Sequence, residues 1–279
     1  MTTESNFARD PEFRGLLSRQ PDVDLTRAAL ELARDSYPDL DFQPTLDWIA
    51  ARADQLRPLV LRSSSEREAL SLVAQSLSIE YQITGSHAAY AEADGSFLHR
   101  IIDKRRGIPI SLSVLYMAVC QGVGIDLTGV ASPMHFLTRV ESPAGPLFLD
   151  AFAGRRILTL EETVEWLTGL TTMPTHVIVR LLEPTDTRTI ITRMLTNLKV
   201  LFARQENWSA AWPVQQRLVA LGPGRYADRR DLALIALKSD HPGMAVRLLE
   251  PLLKTCPDDE RELLQSQLEV AKKQLHRWN

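Results

Sequence analysis

Residues 104–156 constrain this chain more than any other stretch, and they read KRRGIPISLSVLYMAVCQGVGIDLTGVASPMHFLTRVESPAGPLFLDAFAGRR. A helix is predicted over 111–122. Leu112, Val114, Leu115, Met117, Ala118 and Val119 fall on nearly every side of it. A helix that is apolar all round is buried inside a domain rather than laid on its surface. Gly122 and Gly124 end it, and β-rich runs follow at 127–131, 136–140 and 147–149, with turns at Ser132-Pro133 and 142–146. A helix that needs cover on all sides, followed by short strands, belongs to a domain that mixes helices and strands.

The flanking chain reads mostly as helix. Residues 1–22 hold Pro11, Gly15 and Pro21 and are expected to form a loosely tied N-terminal arm. Leu25, Ala28, Ala29 and Leu32 then recur at helical spacing, with Asp24 placed as the cap. Further helices are expected over 45–56 and from Ser64 or Ser65 onward. Residues 82–95 read as a loop leading into a short helix near 97–102. Beyond the strands, Thr159 and Glu162 have capping-box spacing at the head of a helix over 160–167. The apolar run 177–182 is expected as one more strand.

After Glu183-Pro184-Thr185 only helical patterns remain, so the boundary is placed there. A repeat of 34 residues follows: Ala211 matches Ala245, Leu218 matches Leu252, and Pro223 matches Pro257. Paired helices with that period are the tetratricopeptide signature, and a short array of them packs on a main domain or presents a groove. The expected organisation is therefore an arm over 1–22, an α+β domain over 23–185 and an all-α repeat domain over 186–279.

One set of residues could carry chemistry. Ser111 opens the buried helix, His135 sits on one β segment and Asp150 ends the next. In a triad a base takes the nucleophile's proton while a carboxylate orients the base. A nucleophile at a helix start gains positive potential and backbone donors where an oxyanion would form. Neighbouring strands lie about 4.8 Å apart, near enough for a His–Asp hydrogen bond. Each residue also has a plain reading. Ser111 is a favoured N-cap, His135 could be a core-edge histidine bonded to a carbonyl, and Asp150 could accept backbone donors at a strand end. Cys120 lies in the last turn of the apolar helix, about 13 Å along the axis from its start, and reads as an inert buried thiol.

Arg105-Arg106-Gly107-Ile108-Pro109-Ile110-Ser111-Leu112 resembles the signature of the SirB-type proteins, a transglutaminase-like family often followed by tetratricopeptide repeats. Pro133-Met134-His135-Phe136 resembles its His segment, and Leu149-Asp150-Ala151-Phe152 its Asp segment, usually written with Pro where Ala151 stands. Arg193-Met194-Leu195 to Lys199 adds support near the repeats. The resemblance implies a papain-like α+β domain, in which helices pack on a small antiparallel sheet, with the His and Asp kept and no Cys at the helix start. Arg106, Gly107, Pro109 and Pro133 are its cleft-forming motif positions. A shift of one residue would put Pro109 or Ile110, rather than Ser111, at the lost Cys position. Two family loops are replaced here, by Tyr81-Gln82-Ile83-Thr84-Gly85-Ser86 and Ala91-Glu92-Ala93-Asp94-Gly95-Ser96.

The function expected from this is a regulatory, protein-binding module of bacterial type with Ser in place of the catalytic Cys. The alternative is a Ser–His–Asp hydrolase of amides, esters or thioesters. Cysteine is partly ionised near neutrality, whereas serine depends wholly on its base, so the swap alone weakens an enzyme. No metal spacing, Walker loop or dinucleotide glycine pattern is present, and no cofactor is expected. A net charge of -3 offers no basic field for nucleic acid. A polar N-terminus, no long apolar run, and Cys120 and Cys256 unpaired lead to the expectation of a cytoplasmic protein with a protein or peptide partner.

Overall fold

The computed structural model describes residues 7–278. The described residues divide into two compact units, Pro21–Met194 and residues 7–20 with 195–278.

In the first unit, helix α2 (Leu25–Ala33) is capped by Asp24, whose side chain accepts from the N–H of Arg27. Helix α3 (Gln43–Val60) and helix α4 (Glu66–Gln75) follow, the latter capped by Ser65 and running on into a π turn over Ser76–Glu80. Two-residue strands β1 (Thr84–Gly85) and β2 (Arg106–Gly107) pair in parallel. Between them come two short 3-10 turns and helix α5 (Leu98–Lys104), ended by Arg105 in the left-handed region.

Helix α6 (Pro109–Gly122) is the buried centre expected from its composition, with eleven of its residues buried. Pro109 occupies the first helical position, where a missing N–H removes nothing. Strands β3 (Thr128–Val130), β4 (Leu137–Val140), β5 (Leu147–Asp150) and β6 (Arg156–Leu158) form an antiparallel sheet in that order. The first three match the expected runs. β6 adds an edge that the apolar pattern did not mark, because Arg156, Ile157 and Leu158 are all only half-buried.

Thr159 and Glu162 form the full capping box of helix α7 (Leu160–Thr168). The run 177–182, expected as a strand, instead forms the end of helix α8 (Thr175–Leu181) with Leu182 as its C-cap. Ile178 and Leu182, four residues apart, both bury completely against Val130, Leu137, Phe148 and Leu167. That is helical spacing, and a six-residue apolar run does not distinguish it from a buried strand.

In the second unit, residues 11–17 are not a loose arm but helix α1 (Pro11–Leu17). Pro11 starts it, and Phe13 and Leu16 are buried. Arg217 holds Asp10 at 2.7 Å and lies over the rings of Phe7 and Phe13. A buried guanidinium with a carboxylate and two ring faces accounts for the order of this segment.

Helix α9 (Thr187–Arg204) contains the division between the units, later in the chain than the composition change at 185. Four helices follow: α10 (Trp208–Leu221), α11 (Tyr226–Lys238), α12 (Pro242–Leu252) and α13 (Asp258–Trp278). Ala211 and Ala245 are both fully buried, as are their repeat mates Leu218 and Leu252. The 34-residue period is thus a period of packing.

Candidate active site

The sheet delivers two of the three triad-like residues to one place. His135 stands two residues before β4, and Asp150 is the last residue of β5. Thr138 and Leu149 are partners in the β4–β5 register, so the segments run side by side to that edge. His135 Nε2 lies 2.8 Å from Asp150 Oδ1. The same oxygen accepts the N–H groups of Phe152 at 3.0 Å and Ala153 at 3.1 Å. An ionised carboxylate only accepts, so Nε2 carries the proton that it donates, and in the neutral ring Nδ1 is left as the base. Nδ1 makes no hydrogen bond among the described residues. The His side chain keeps 13% of its surface in solvent and the Asp side chain 4%.

Met134, just before His135, has φ of 58° and is 79% exposed. Positive φ at a side chain other than glycine is strained, and the surrounding turn holds it. Pro133 and Ser132 on the other side are buried. Arg193 braces this turn by donating from Nη2 to the carbonyl of His135 at 2.9 Å.

Aromatic rings wall the pair. Phe152 and Trp166 meet the imidazole edge-on, at centroid distances of 6.0 and 5.4 Å. Phe152 in turn meets His87 and Tyr90, and Arg156 lies over Trp166. Gly85 makes the Phe152 position possible. Its N–H donates to the Phe152 carbonyl at 3.1 Å, and a Cβ at residue 85 would stand 2.3 Å from the Phe152 ring.

The third residue is elsewhere in its bonding. Ser111 is the third residue of α6, fully buried, and the N-cap of that helix is Ile108. Its hydroxyl lies 2.6 Å from the carbonyl of Gly95 and 3.0 Å from that of Ile108. One proton serves these two acceptors, and no hydrogen bond joins Ser111 to His135. Gly95 also receives the N–H of Ile108 at 3.1 Å. Ser111 therefore ties the start of α6 to the 3-10 turn holding Gly95. Pro109 and Ile110, its neighbours, bring no nucleophile.

The other motif positions shape the same region. Arg106 grips both carboxylate oxygens of Glu92, and Gly107 packs so closely that a Cβ would meet Ile101 and Leu112 at 3.1 Å. Lys104, Arg100 and Tyr37 converge on Asp94. Burial alone would raise the Asp94 carboxyl, but these three donors outweigh it and hold it down at about 2. In the basic turn, Lys104 and Arg106 are thus paired with acids, while Arg105 donates to Gln82. Burial pushes the Cys120 thiol up and keeps it unreactive. Among the described residues no group of His, Cys, Asp and Glu is arranged to hold a metal ion, and no helix is long and apolar enough to cross a membrane.

Sequence reasoning did not single out Tyr90 or Trp166 for the site, and Gly85 and Phe152 stood only within longer motif stretches. Each reaches it through the fold, from segments separated by up to eighty residues. Arg193 was visible in a motif, but nothing in the sequence joined it to His135.

Comparison with known proteins agrees with this architecture. A family model described as the transglutaminase-like superfamily matches residues 41–196, and one described as a tetratricopeptide repeat matches 198–269. The UPF0162 protein of Xylella fastidiosa is 32% identical over 84% of this chain and 84% of its own length. Protein SirB1 of Salmonella typhimurium is 25% identical, over 88% of this chain and 91% of that protein. F-box only protein 21 of Mus musculus is 26% identical over 69% of this chain, a match that takes in 30% of the mouse protein. No solved structure gives a significant match. A buried helix, a His–Asp sheet edge and, later in the sequence, a 34-residue helical repeat agree with these matches, and the chain belongs to the transglutaminase-like superfamily as a SirB-type member with tetratricopeptide repeats.

Proposed function

We propose that this protein is a regulatory, peptide-binding module in which the inherited cleft recognises a ligand instead of turning it over. The observation that carries the reading is the seat of Ser111. Its proton is donated to backbone carbonyls and its side chain is sealed from solvent, so Ser111 makes no hydrogen bond to His135 and is not activated by it. A hydroxyl becomes a nucleophile only when a base within hydrogen-bond reach takes its proton. Without that step, Nδ1 is an acceptor for an amide N–H or a hydroxyl of a bound chain. Phe152 and Trp166 then offer apolar faces for a neighbouring side chain. The tetratricopeptide region supports a protein partner, since stacked helix pairs commonly present an extended peptide-binding surface.

Treatment of the purified protein with a fluorophosphonate probe tests this directly. The expected result is no labelling, in wild type and in Ser111→Ala alike. Labelling at Ser111 that disappears in both Ser111→Ala and His135→Ala would overturn the reading in favour of a Ser111–His135–Asp150 hydrolase.

A further inference from the structure

Arg193 is half-buried beside the cleft and makes no ion pair. Its Nη2 donates to the carbonyl of His135 at 2.9 Å, and Nη1 reaches that of Ser132 at the long distance of 3.5 Å. The guanidinium lies over the ring of Phe136, 5.6 Å from the centroid. No carboxylate stands within ion-pair distance of it among the described residues, and Nε makes no hydrogen bond. Among the partly buried arginines of the same unit, Arg100 meets Asp94 at 3.1 Å and Arg139 meets Glu141 at 2.7 Å, whereas Arg52 and Arg156, like Arg193, lie over aromatic rings with no ion pair among the described residues. Carbonyl acceptors satisfy N–H groups but leave the charge uncompensated. A half-buried guanidinium with spare donors is a ready partner for a planar anion, which it can grip by two parallel hydrogen bonds.

The next ring towards solvent is Tyr90, which is 50% exposed and packs on Phe152. Burial raises its phenol, while Arg193 acts to lower it and Asp150 to raise it, which places the hydroxyl within the field of both. Asp150 is not available to neutralise Arg193, because its Oδ1 is engaged by His135 and two backbone N–H groups.

We infer that Arg193, with the Tyr90 hydroxyl, forms a carboxylate subsite next to the His135 ring, so that the peptide taken by the cleft is acidic at the position beside the one that His135 contacts. The inference rests on the peptide-binding reading and deepens it by giving the ligand its charge. A ligand carboxylate would take donors from Arg193 and Tyr90, while its neighbouring amide N–H is donated to His135 Nδ1.

The test uses the full chain labelled so that arginine Nε–H and histidine ring C–H signals are read by NMR. Three probes are titrated to about 50 mM: N-acetyl-glutamate amide, N-acetyl-glycine and N-acetyl-glutamine amide. These present a side-chain carboxylate, a chain-end carboxylate and a neutral isostere. The expected result is saturable movement of the Arg193 and His135 signals with one or both carboxylate probes, at least tenfold tighter than with the neutral one. Preference between the two acids identifies the source of the carboxylate. Arg193→Gln is expected to remove the acid preference. Tyr90→Phe, at a half-exposed position where folding is safe, is expected to weaken acid binding several-fold and leave neutral binding unchanged. Equal binding of acid and amide would overturn the carboxylate subsite and leave the peptide cleft standing. Movement of neither signal with any probe would overturn both. Binding unaffected by Arg193→Gln and Tyr90→Phe would assign the anion to another place and overturn the subsite as well.

Discussion

The two sides of the cleft have been treated differently by the same fold. On the strand side, His135 and Asp150 keep a 2.8 Å hydrogen bond, an open Nδ1 and a partly solvated imidazole. On the helix side, Ser111 has no exposure and gives its proton to carbonyls of the main chain. One side presents a partly solvated polar group; the other is packing. The contrast teaches that residue identity at motif positions does not preserve a triad. A hydroxyl is shorter than a thiol and hydrogen-bonds more strongly, so at a crowded helix start it is drawn to nearby backbone carbonyls.

The largest expected effect falls on the wall of the strand side. Gly85→Ala puts a Cβ at 2.3 Å from the Phe152 ring and 2.4 Å from its carbonyl oxygen. Phe152 must shift, and the β1–β2 pair with it, for a loss of about 3 kcal/mol or more. Chemical denaturation reads this as a lower midpoint at unchanged slope. A variant as stable as wild type would show that the ring can move freely, and would remove the rigid wall from the comparison.

Next comes Asp150→Ala, which strips the acceptor from the His135 ring and from the N–H groups of Phe152 and Ala153. Buried donors left unmet make this a loss of about 2–3 kcal/mol. Asp150→Asn keeps an acceptor oxygen and is expected to lose about half as much. If the alanine variant lost less than the asparagine one, the carboxylate would be a strained feature rather than the support of His135.

How far the sequence led can be judged from these same residues. The buried helix, the capping box at Thr159 and the order helix–His–Asp were legible because each is a local pattern: all-round apolarity, a fixed spacing, one polar residue at a strand end. The 34-residue repeat was legible for the same reason. What could not be read was direction. Ser111 was a candidate nucleophile or an N-cap, and it is neither in its bonding, because the deciding acceptor is Gly95, sixteen residues away across a tertiary contact. The run 177–182 was too short to reveal its period, and Phe13 and Arg217 meet only after the chain has returned from the repeats.

A smaller effect is expected from acid, and it bears on the helix side. Gly95, which accepts the Ser111 proton, follows Asp94, and Asp94 is fixed by Tyr37, Arg100 and Lys104. The Asp94 carboxyl sits at about 2, below its ordinary 3.8, so the folded protein binds this proton less readily than the unfolded chain. The stabilisation is present above about pH 4 and is lost as pH falls towards about 2. It amounts to about 2 kcal/mol at most. Stability measured from pH 6 down to about 2.5 in wild type and Asp94→Asn should converge at the acid end, and parallel curves would detach the Gly95 turn from this network.

The smallest effect is the one that most sharply divides the two sides. Ser111→Ala removes one hydrogen bond, but the Gly95 carbonyl still receives the N–H of Ile108, so no buried acceptor is orphaned. The expected loss is about 1 kcal/mol, and ligand binding at His135 is expected to stay as in wild type. Ser111→Cys asks the complementary question, whether a thiol at this place can act as a nucleophile. Cys120 and Cys256 are both buried, so the native wild-type protein gives a low background with iodoacetamide. A thiol at position 111 is expected to stay unalkylated in the native protein and to react once unfolded in guanidinium, because the seat, not the element, denies it the base. Rapid native alkylation, quenched by a further His135→Ala, would mean that the helix start opens to the imidazole. The helix side would then be a closed state of a working site, and the difference between the two sides one of conformation rather than of design.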